Sequence, residues 1–248
     1  MTLDNNLKRA RELISTSDHI LAFTGAGISV DSGIPDFRSE GGLWKRYDPH
    51  EYATFDSFIR DPTKFWTMGR ELAETILKAK PNEAHIALAK LESRGKLLGV
   101  ITQNIDNLHQ SAGIKNVIEL HGNYLHAYCI ECKTEYFGKS VHQRVANGEI
   151  PPKCEKCGGI LKSEAILFGE PLPEEPMTKA IELCRKTDLM LVIGTSLSVY
   201  PAAFLPQLAK DSGAEIILIN LDGTNKDNVA DITLKGRASD ILPKVVVD

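Results

Sequence analysis

Two Cys-x-x-Cys pairs, one histidine and a scatter of glycines and amides are the residues of this chain best suited to chemistry. Cys129-x-x-Cys132 and Cys154-x-x-Cys157 stand 21 residues apart. Two knuckles at that spacing supply four thiolates in a tetrahedron, which suits Zn²⁺. Four thiolates close the coordination sphere, so the metal is expected to be structural, with no place for an activated water. The fifth cysteine, Cys184, has helical spacing with Ile181 and reads as a buried core thiol.

His121 precedes Gly122 at the end of a short apolar run and is the first candidate for acid–base work, because an imidazole titrates near working pH. A core histidine or a zinc ligand are the other readings, although four cysteines already satisfy zinc. Thr102-Gln103-Asn104-Ile105-Asp106 places two amides and a carboxylate at another strand end. The amides suit ribose hydroxyls, and Asn104 and Asp106 could hold a carboxamide or a water. A helix cap would explain one of these residues but not the set.

The apolar run Ile20–Phe23 breaks into Gly25-Ala26-Gly27-Ile28. A strand running into glycines brings phosphate to backbone N–H groups in α/β folds. The dinucleotide fingerprint is incomplete, since Val30 replaces its third glycine and no acidic residue follows about 20 positions on. Asp36-Phe37-Arg38 comes next. Arg38 can pair with phosphate, Phe37 can shield a reactive carbon from water, and Asp36 can orient a ribose or Arg38. Gly194-Thr195-Ser196 offers a second phosphate or ribose contact. Asn220, beside Leu221, could reach the other ribose, and Ala238 is small enough to lie against adenine.

These motifs must be positioned by regular elements. Helices are expected over Leu3–Ser15, from an Asn82 cap to Gly95, over Pro173–Lys186 and over Ala202–Lys210. Strands are expected at Ile20–Phe23, Leu97–Thr102, Val117–Leu120, Leu189–Ile193, Ile216–Leu221 and Ile232–Leu234, with Ala165–Phe168 extended. Alternating strands and helices imply a Rossmann-like, doubly wound parallel sheet, an α/β fold. Polar motifs recur where strands end, which is where such sheets bind ligands. The expected division is a dinucleotide-binding domain from residues 1–40, 80–123 and 165–248, a helical, aromatic insertion at 41–79, and a four-cysteine zinc module at 124–164.

The chain has 248 residues, 42% hydrophobic and 25% charged, with a formal net charge of −4. Such a balance offers no electrostatic footprint for nucleic acid or an anionic membrane and suits a basic peptide ligand. No run approaches the roughly 18 apolar residues of a membrane span. The N-terminal segment lacks the apolar core of a signal peptide. With paired rather than disulfide-patterned cysteines, these features predict a cytoplasmic protein.

Gly25-Ala-Gly-Ile-Ser29, Gly33-Ile-Pro-Asp-Phe-Arg-Ser39, Thr102–Asp106, His121-Gly122, the cysteine quartet, Phe168-Gly169-Glu170 and Gly194-Thr-Ser-Leu197 occur in the order found in sirtuins. The sequence therefore resembles the sirtuin family of NAD-dependent protein deacylases from Gly25 to Ala238. The resemblance implies NAD across the sheet edge and an acyl-lysine protein or peptide in a tunnel between the two domains. The acyl oxygen would attack the ribose carbon bearing nicotinamide. His121, with Asn104, would be catalytic, His121 acting as base on the ribose hydroxyls so that the acyl group passes to ADP-ribose. Gly25, Ala26, Gly27, Ile28, Asp36, Phe37, Arg38, Gln103, Ile105, Asp106, Gly194, Thr195, Ser196, Asn220, Leu221 and Ala238 would contact NAD. The peptide would pair as a strand with Phe168-Gly169-Glu170 and a partner near Val199, with Ile166 and Phe168 lining the acyl tunnel.

Three departures from the family pattern stand out. Val30 replaces a threonine or alanine, and Ser163-Glu164 stands where an arginine- or lysine-proline pair often occurs. Members preferring succinyl or malonyl groups carry a tyrosine and an arginine three apart where this chain has Gly69 and Leu72. Acetyl or longer apolar acyl groups are therefore expected. Two other readings stay open: ADP-ribosyl transfer to protein, and a non-catalytic zinc module that senses NAD. A dehydrogenase fits less well, because both the glycine fingerprint and its acidic partner are incomplete.

Overall fold

The computed structural model describes residues 3–224 and 226–247. In chain order, α1 (Leu3–Thr16) leads into β1 (Ile20–Thr24), and a helical stretch follows as α2 (Pro49–Tyr52), α3 (Phe55–Arg60) and α4 (Pro62–Lys78). Then come α5 (Glu83–Ser93), β2 (Leu97–Thr102), α6 (Leu108–Ser111) and β3 (Val117–Glu119). A small unit holds β4 (His126–Cys129), β5 (Glu135–Phe137), α7 (Gly138–Ala146) and β6 (Leu161–Ser163). The chain ends with α8 (Glu174–Cys184), β7 (Leu189–Ile193), α9 (Leu205–Asp211), β8 (Glu215–Asn220), β9 (Ile232–Lys235) and α10 (Ala238–Val245).

Six strands form one parallel sheet in the order β3-β2-β1-β7-β8-β9. The run Ile20–Thr24 and the run Leu189–Ile193 are buried at every position, as central strands covered on both faces must be. One face packs Ile20, Ala22, Leu191 and Ile217 under α1, α5 and α10. The other packs Leu21, Phe23, Val192 and Leu218 under α8 and α9. The sheet is therefore doubly wound, with the reversal of strand order between β1 and β7. Ligands of such sheets bind at that crevice, outside the carboxyl ends of the strands.

The expected helix cap at Asn82 is present, its side chain accepting from the Ala84 N–H at 2.9 Å. Ala165–Phe168 is not a regular strand; Phe168 makes an isolated bridge to Thr54. The short antiparallel sheet β5-β4-β6 and the helices α7 and α10 go beyond the elements read from the sequence. The helical stretch and the cysteine-bearing unit share one core, in which Phe58, Phe65 and Trp66 meet Tyr124, Val141 and Leu161. The Trp66 Nε1–H donates to the Leu161 carbonyl at 2.9 Å, fastening α4 to β6. Among the described residues, no helix is long and apolar enough to cross a membrane.

Candidate active site and metal centre

The ends of β1 and β7 press together backbone to backbone. The Gly27 N–H donates to the Gly194 carbonyl at 2.8 Å, and the Gly25 N–H to the Ile193 carbonyl at 3.1 Å. A Cβ on Gly27 would stand 2.7 Å from the Gly194 Cα, and Gly194 itself has φ +60°. The glycines are thus required by the crossing of two loops, and two of their N–H groups are spent there. That differs from the sequence reading, in which they serve phosphate directly.

A cleft of about 590 Å³ opens beside this crossing, within the range of ligand sites. It is lined by Gly25, Ala26, Gly27, Asp36, Phe37, Arg38, Gln103, Asn104, Ile105 and His121. Gly194, Thr195, Ser196, Asn220, Leu221 and Ala238 also line it, as do Ile166, Phe168, Gly169, Glu170 and Val199. Two expected contacts are not on this wall. Ile28 is buried in the core beneath α5, and its carbonyl accepts from Asn82 Nδ2 at 2.8 Å. Asp106 sits one layer back, where its Oδ2 accepts from Ser29 Oγ at 2.7 Å and its Oδ1 from the Leu108 N–H at 2.9 Å.

That buried layer orients Asn104. Its Nδ2 donates to Ser29 Oγ at 3.1 Å, and its N–H donates to Thr102 Oγ1 at 3.0 Å. Burial raises the Asp106 pKa from its usual value, although hydrogen bonds from Leu108, Ser29 and Asn104 oppose the shift. A ladder runs along the floor. Gln103 Nε2 donates to Thr195 Oγ1 at 2.9 Å, and Asn220 Nδ2 to the Thr195 carbonyl at 3.3 Å. Asp36 turns inward on its own loop, accepting from the Arg38 and Ser39 N–H groups at 3.0 and 2.8 Å. The Phe37 ring lies tilted against Trp44 with centroids 5.1 Å apart, and Trp44 lies 6.3 Å from Phe168, so three rings form one apolar wall.

His121 Nδ1 lies 3.0 Å from the Gln103 carbonyl. A carbonyl can only accept, so Nδ1 carries the proton and Nε2 keeps a lone pair. Burial lowers the His121 pKa from 6.5, which the Gln103 bond opposes only in part. The ring is therefore neutral at pH 7 and able to take a proton at Nε2. Its backbone is clamped, because the Ile166 N–H donates to the His121 carbonyl at 2.9 Å. Gly122 follows with φ +70°, and any side chain there would overlap the Glu164 carbonyl.

The segment from Ile166 to Glu170 is less open to strand pairing than its sequence suggested. The N–H groups of Ile166 and Phe168 donate to His121 and Ala53, and that of Glu170 to Leu167. The Leu167 N–H donates to Glu170 Oε2 at 2.8 Å. The Phe168 carbonyl in turn accepts from the Phe55 N–H at 2.9 Å, so an added peptide strand is left with the Gly169 N–H and the carbonyls other than those of Leu167 and Phe168. Glu170 is itself fixed by Lys162, whose buried ammonium lies 2.9 Å from Glu170 Oε2.

Leu72, at a position the resemblance singled out, and Trp44 and Phe65, from an aromatic segment that reads equally as a small core or as ligand contact, also line the cleft. Sequence reasoning missed Met68 and Tyr124, which line it too; their types read as ordinary core.

The four expected zinc ligands converge. The Sγ atoms of Cys129, Cys132, Cys154 and Cys157 all lie within 4.8 Å of one another. The Cys129–Cys157 and Cys132–Cys154 sulfurs are 3.5 and 3.6 Å apart, far beyond a disulfide and close to the roughly 3.8 Å edge of a Zn–S₄ tetrahedron. The knuckles match each other: the Lys133 N–H donates to the Cys129 carbonyl at 3.0 Å and the Gly158 N–H to that of Cys154 at 2.9 Å. The donor set fits structural zinc. Cys184 is fully buried, and burial pushes its thiol up to about 12.

The Sir2 family model matches residues 25–201. The chain belongs to the Sir2 family. An NAD-dependent protein deacetylase of Caldivirga maquilingensis is 49% identical over 239 residues, covering 96% of this chain and 92% of the relative. NAD-dependent protein deacylase 2 of Archaeoglobus fulgidus is 44% identical, covering 98% of this chain and 96% of the relative. Among solved structures, one described under the mechanism and regulation of Sir2 enzymes superposes with a TM-score of 0.93 at 43% identity, covering 98% of this chain and 97% of the other. Sir2Af2 bound to a myristoylated histone peptide superposes at 0.84 with 39% identity, covering 98% and 95%.

Proposed function

We propose that this Sir2 protein removes acetyl or longer apolar acyl groups from protein lysines in an NAD-dependent reaction that yields nicotinamide, O-acyl-ADP-ribose and free lysine. The observation that carries the reading is the neutral, Nδ1-anchored His121 on the same cleft as the glycine crossing and the Gln103–Thr195–Asn220 ladder. Support comes from the named relatives and from a Sir2 structure described with a deacetylated p53 peptide and 3′-O-acetyl-ADP-ribose.

NAD, when bound, supplies a ribose carbon with nicotinamide as leaving group, so the protein's task is to position an acyl oxygen and keep water away. His121 takes a proton from a hydroxyl at Nε2 while Nδ1 stays tied to Gln103. Asn104, held by Ser29, offers its amide in one orientation. Phe37 and Trp44 exclude water from one side, and Arg38 gives a cation on the same loop. The Gln103–Thr195–Asn220 ladder provides polar groups for the sugars. Cys129, Cys132, Cys154 and Cys157 would hold zinc, which ties β4 to the loop before β6 and has no place in the chemistry.

Incubation of the protein with NAD and an acetyl-lysine peptide, followed by mass analysis, tests this directly. Acetyl-ADP-ribose and nicotinamide are the expected products. ADP-ribose attached to protein would favour the transferase reading, and intact NAD would favour a sensor.

A further inference from the structure

His121 sits in a turn that is braced from behind. Glu119, the last residue of β3, spans the turn with its side chain, and its Oε1 accepts from Asn123 Nδ2 at 2.8 Å. The other end of that amide is also used, because Asn123 Oδ1 accepts from the Leu125 N–H at 2.8 Å. Asn123 is buried, and the bond closes residues 119–123 around His121 and Gly122. The same Glu119 oxygen accepts a second bond, from Gln110 Nε2 at 2.8 Å. Gln110 belongs to α6, whose Leu108 N–H is held by Asp106 Oδ1 at 2.9 Å. Asp106 in turn receives the Ser29 hydroxyl that orients Asn104. Just past the turn, the Tyr124 N–H donates to the Ile105 carbonyl at 3.0 Å. Two routes thus join the segment bearing Asn104 to the turn bearing His121, one through Glu119 and one through the backbone. Gln110, Glu119 and Asn123 all lie off the cleft wall.

We propose that Glu119 is a positioning residue for His121: one carboxylate oxygen, shared between Asn123 and Gln110, holds the His121 turn in register with the segment bearing Asn104. The inference rests on the deacylase reading. Placement matters because a displacement of about 1 Å at a reacting group can cost roughly 100-fold in rate. The role belongs to the acceptor oxygen and not to the charge. Burial raises the Glu119 pKa, and the bonds from Gln110 and Asn123 oppose the shift, so the surroundings disfavour the charged form. Glu119→Gln keeps an oxygen with two lone pairs, enough for both amides.

The test reads two rates with NAD and an acetyl-lysine peptide: release of free lysine, and exchange of labelled nicotinamide into NAD. Exchange needs only attack by the acyl oxygen and its reversal, whereas lysine release also needs the base. The rate of lysine release divided by that of exchange is insensitive to the fraction of folded enzyme. Glu119→Ala is expected to lower this quotient about tenfold or more, through misplacement of the imidazole. Glu119→Gln is expected to keep it within about twofold of the wild type, because the acceptor oxygen remains. Gln110→Ala removes one of the two partners and is expected to lower it about threefold, the worth of one hydrogen bond; it reads the same link where Glu119→Ala does not fold. A wild-type quotient in either alanine variant, or equal losses in Glu119→Ala and Glu119→Gln, would overturn the inference while leaving deacylation intact. No lysine release from any acyl peptide by the wild type would remove the deacylase reading and this inference with it.

Discussion

The Nδ1 of His121 sits 3.0 Å from the carbonyl oxygen of Gln103, which fixes the tautomer and leaves Nε2 as the basic atom. Gln103 also starts the polar ladder to Thr195, so a single residue ties the proposed base to the groups proposed for the sugars. His121→Ala is expected to keep its far-ultraviolet circular dichroism and lose about 100- to 10,000-fold in kcat/KM. In the wild type, kcat/KM is expected to be flat through neutral pH and to fall on the acid side below 6.5, because burial lowers the His121 pKa. An acid limb centred above 6.5 would contradict this.

Ser29 joins two groups behind the site, giving its proton to Asp106 Oδ2 and receiving one from Asn104 Nδ2. Ser29→Ala removes both links and frees the Asn104 amide to rotate. The expected result is a fall in kcat of about tenfold or more, with stability lowered by about 1–3 kcal/mol for the unpaired buried groups. Wild-type kinetics in this variant would show that Asn104 needs no such support.

Two adjacent buried histidines give a stability signature separate from the chemistry. His85 and His109 have rings 4.9 Å apart, and burial lowers their pKa values from 6.5 to about 4 and about 3. As pH falls, the unfolded chain binds these protons first. Their contribution is whole above about 6.5 and is lost as pH falls toward about 3, at up to about 1.4 kcal/mol per pH unit for each ring. Urea midpoints are expected to drop steadily over this window, and His109→Gln is expected to reduce the slope.

How far the sequence went differs from region to region. The fully buried strands at Ile20 and Leu189 and the Asn82 cap were legible, because continuous apolar runs and local capping are written in neighbouring residues. The small sheet around Cys129 was not, because three-residue strands carry too few positions for a period-two pattern. The helix at Ala238–Val245 contains Pro243, which reads as a breaker. At the site, residue types on strand ends were informative, but their jobs depended on the third dimension. Asp36 and the Gly27 N–H turn inward to the protein, and the Tyr124 hydroxyl is accommodated only because Gly69 is small.

Zinc is expected to support activity from a distance. Metal binding at such quartets supplies about 10–16 kcal/mol, comparable to the total stability of a domain at about 5–15 kcal/mol. Cys154→Ser or a strong chelator is therefore expected to unfold the small sheet. Activity should fall with it, because β6 holds the Lys162 that anchors Glu170 on the cleft. Full activity in a metal-free protein, with zinc measured by atomic emission, would detach the metal from the site.

The most direct measurement is stoichiometric. With an acetyl-lysine peptide and NAD in excess, lysine freed, nicotinamide released and acetyl-ADP-ribose formed are counted through one time course. A ratio of one to one to one is expected, vanishing without NAD. Free acetate appearing at the rate of lysine release, with no nicotinamide, would contradict it.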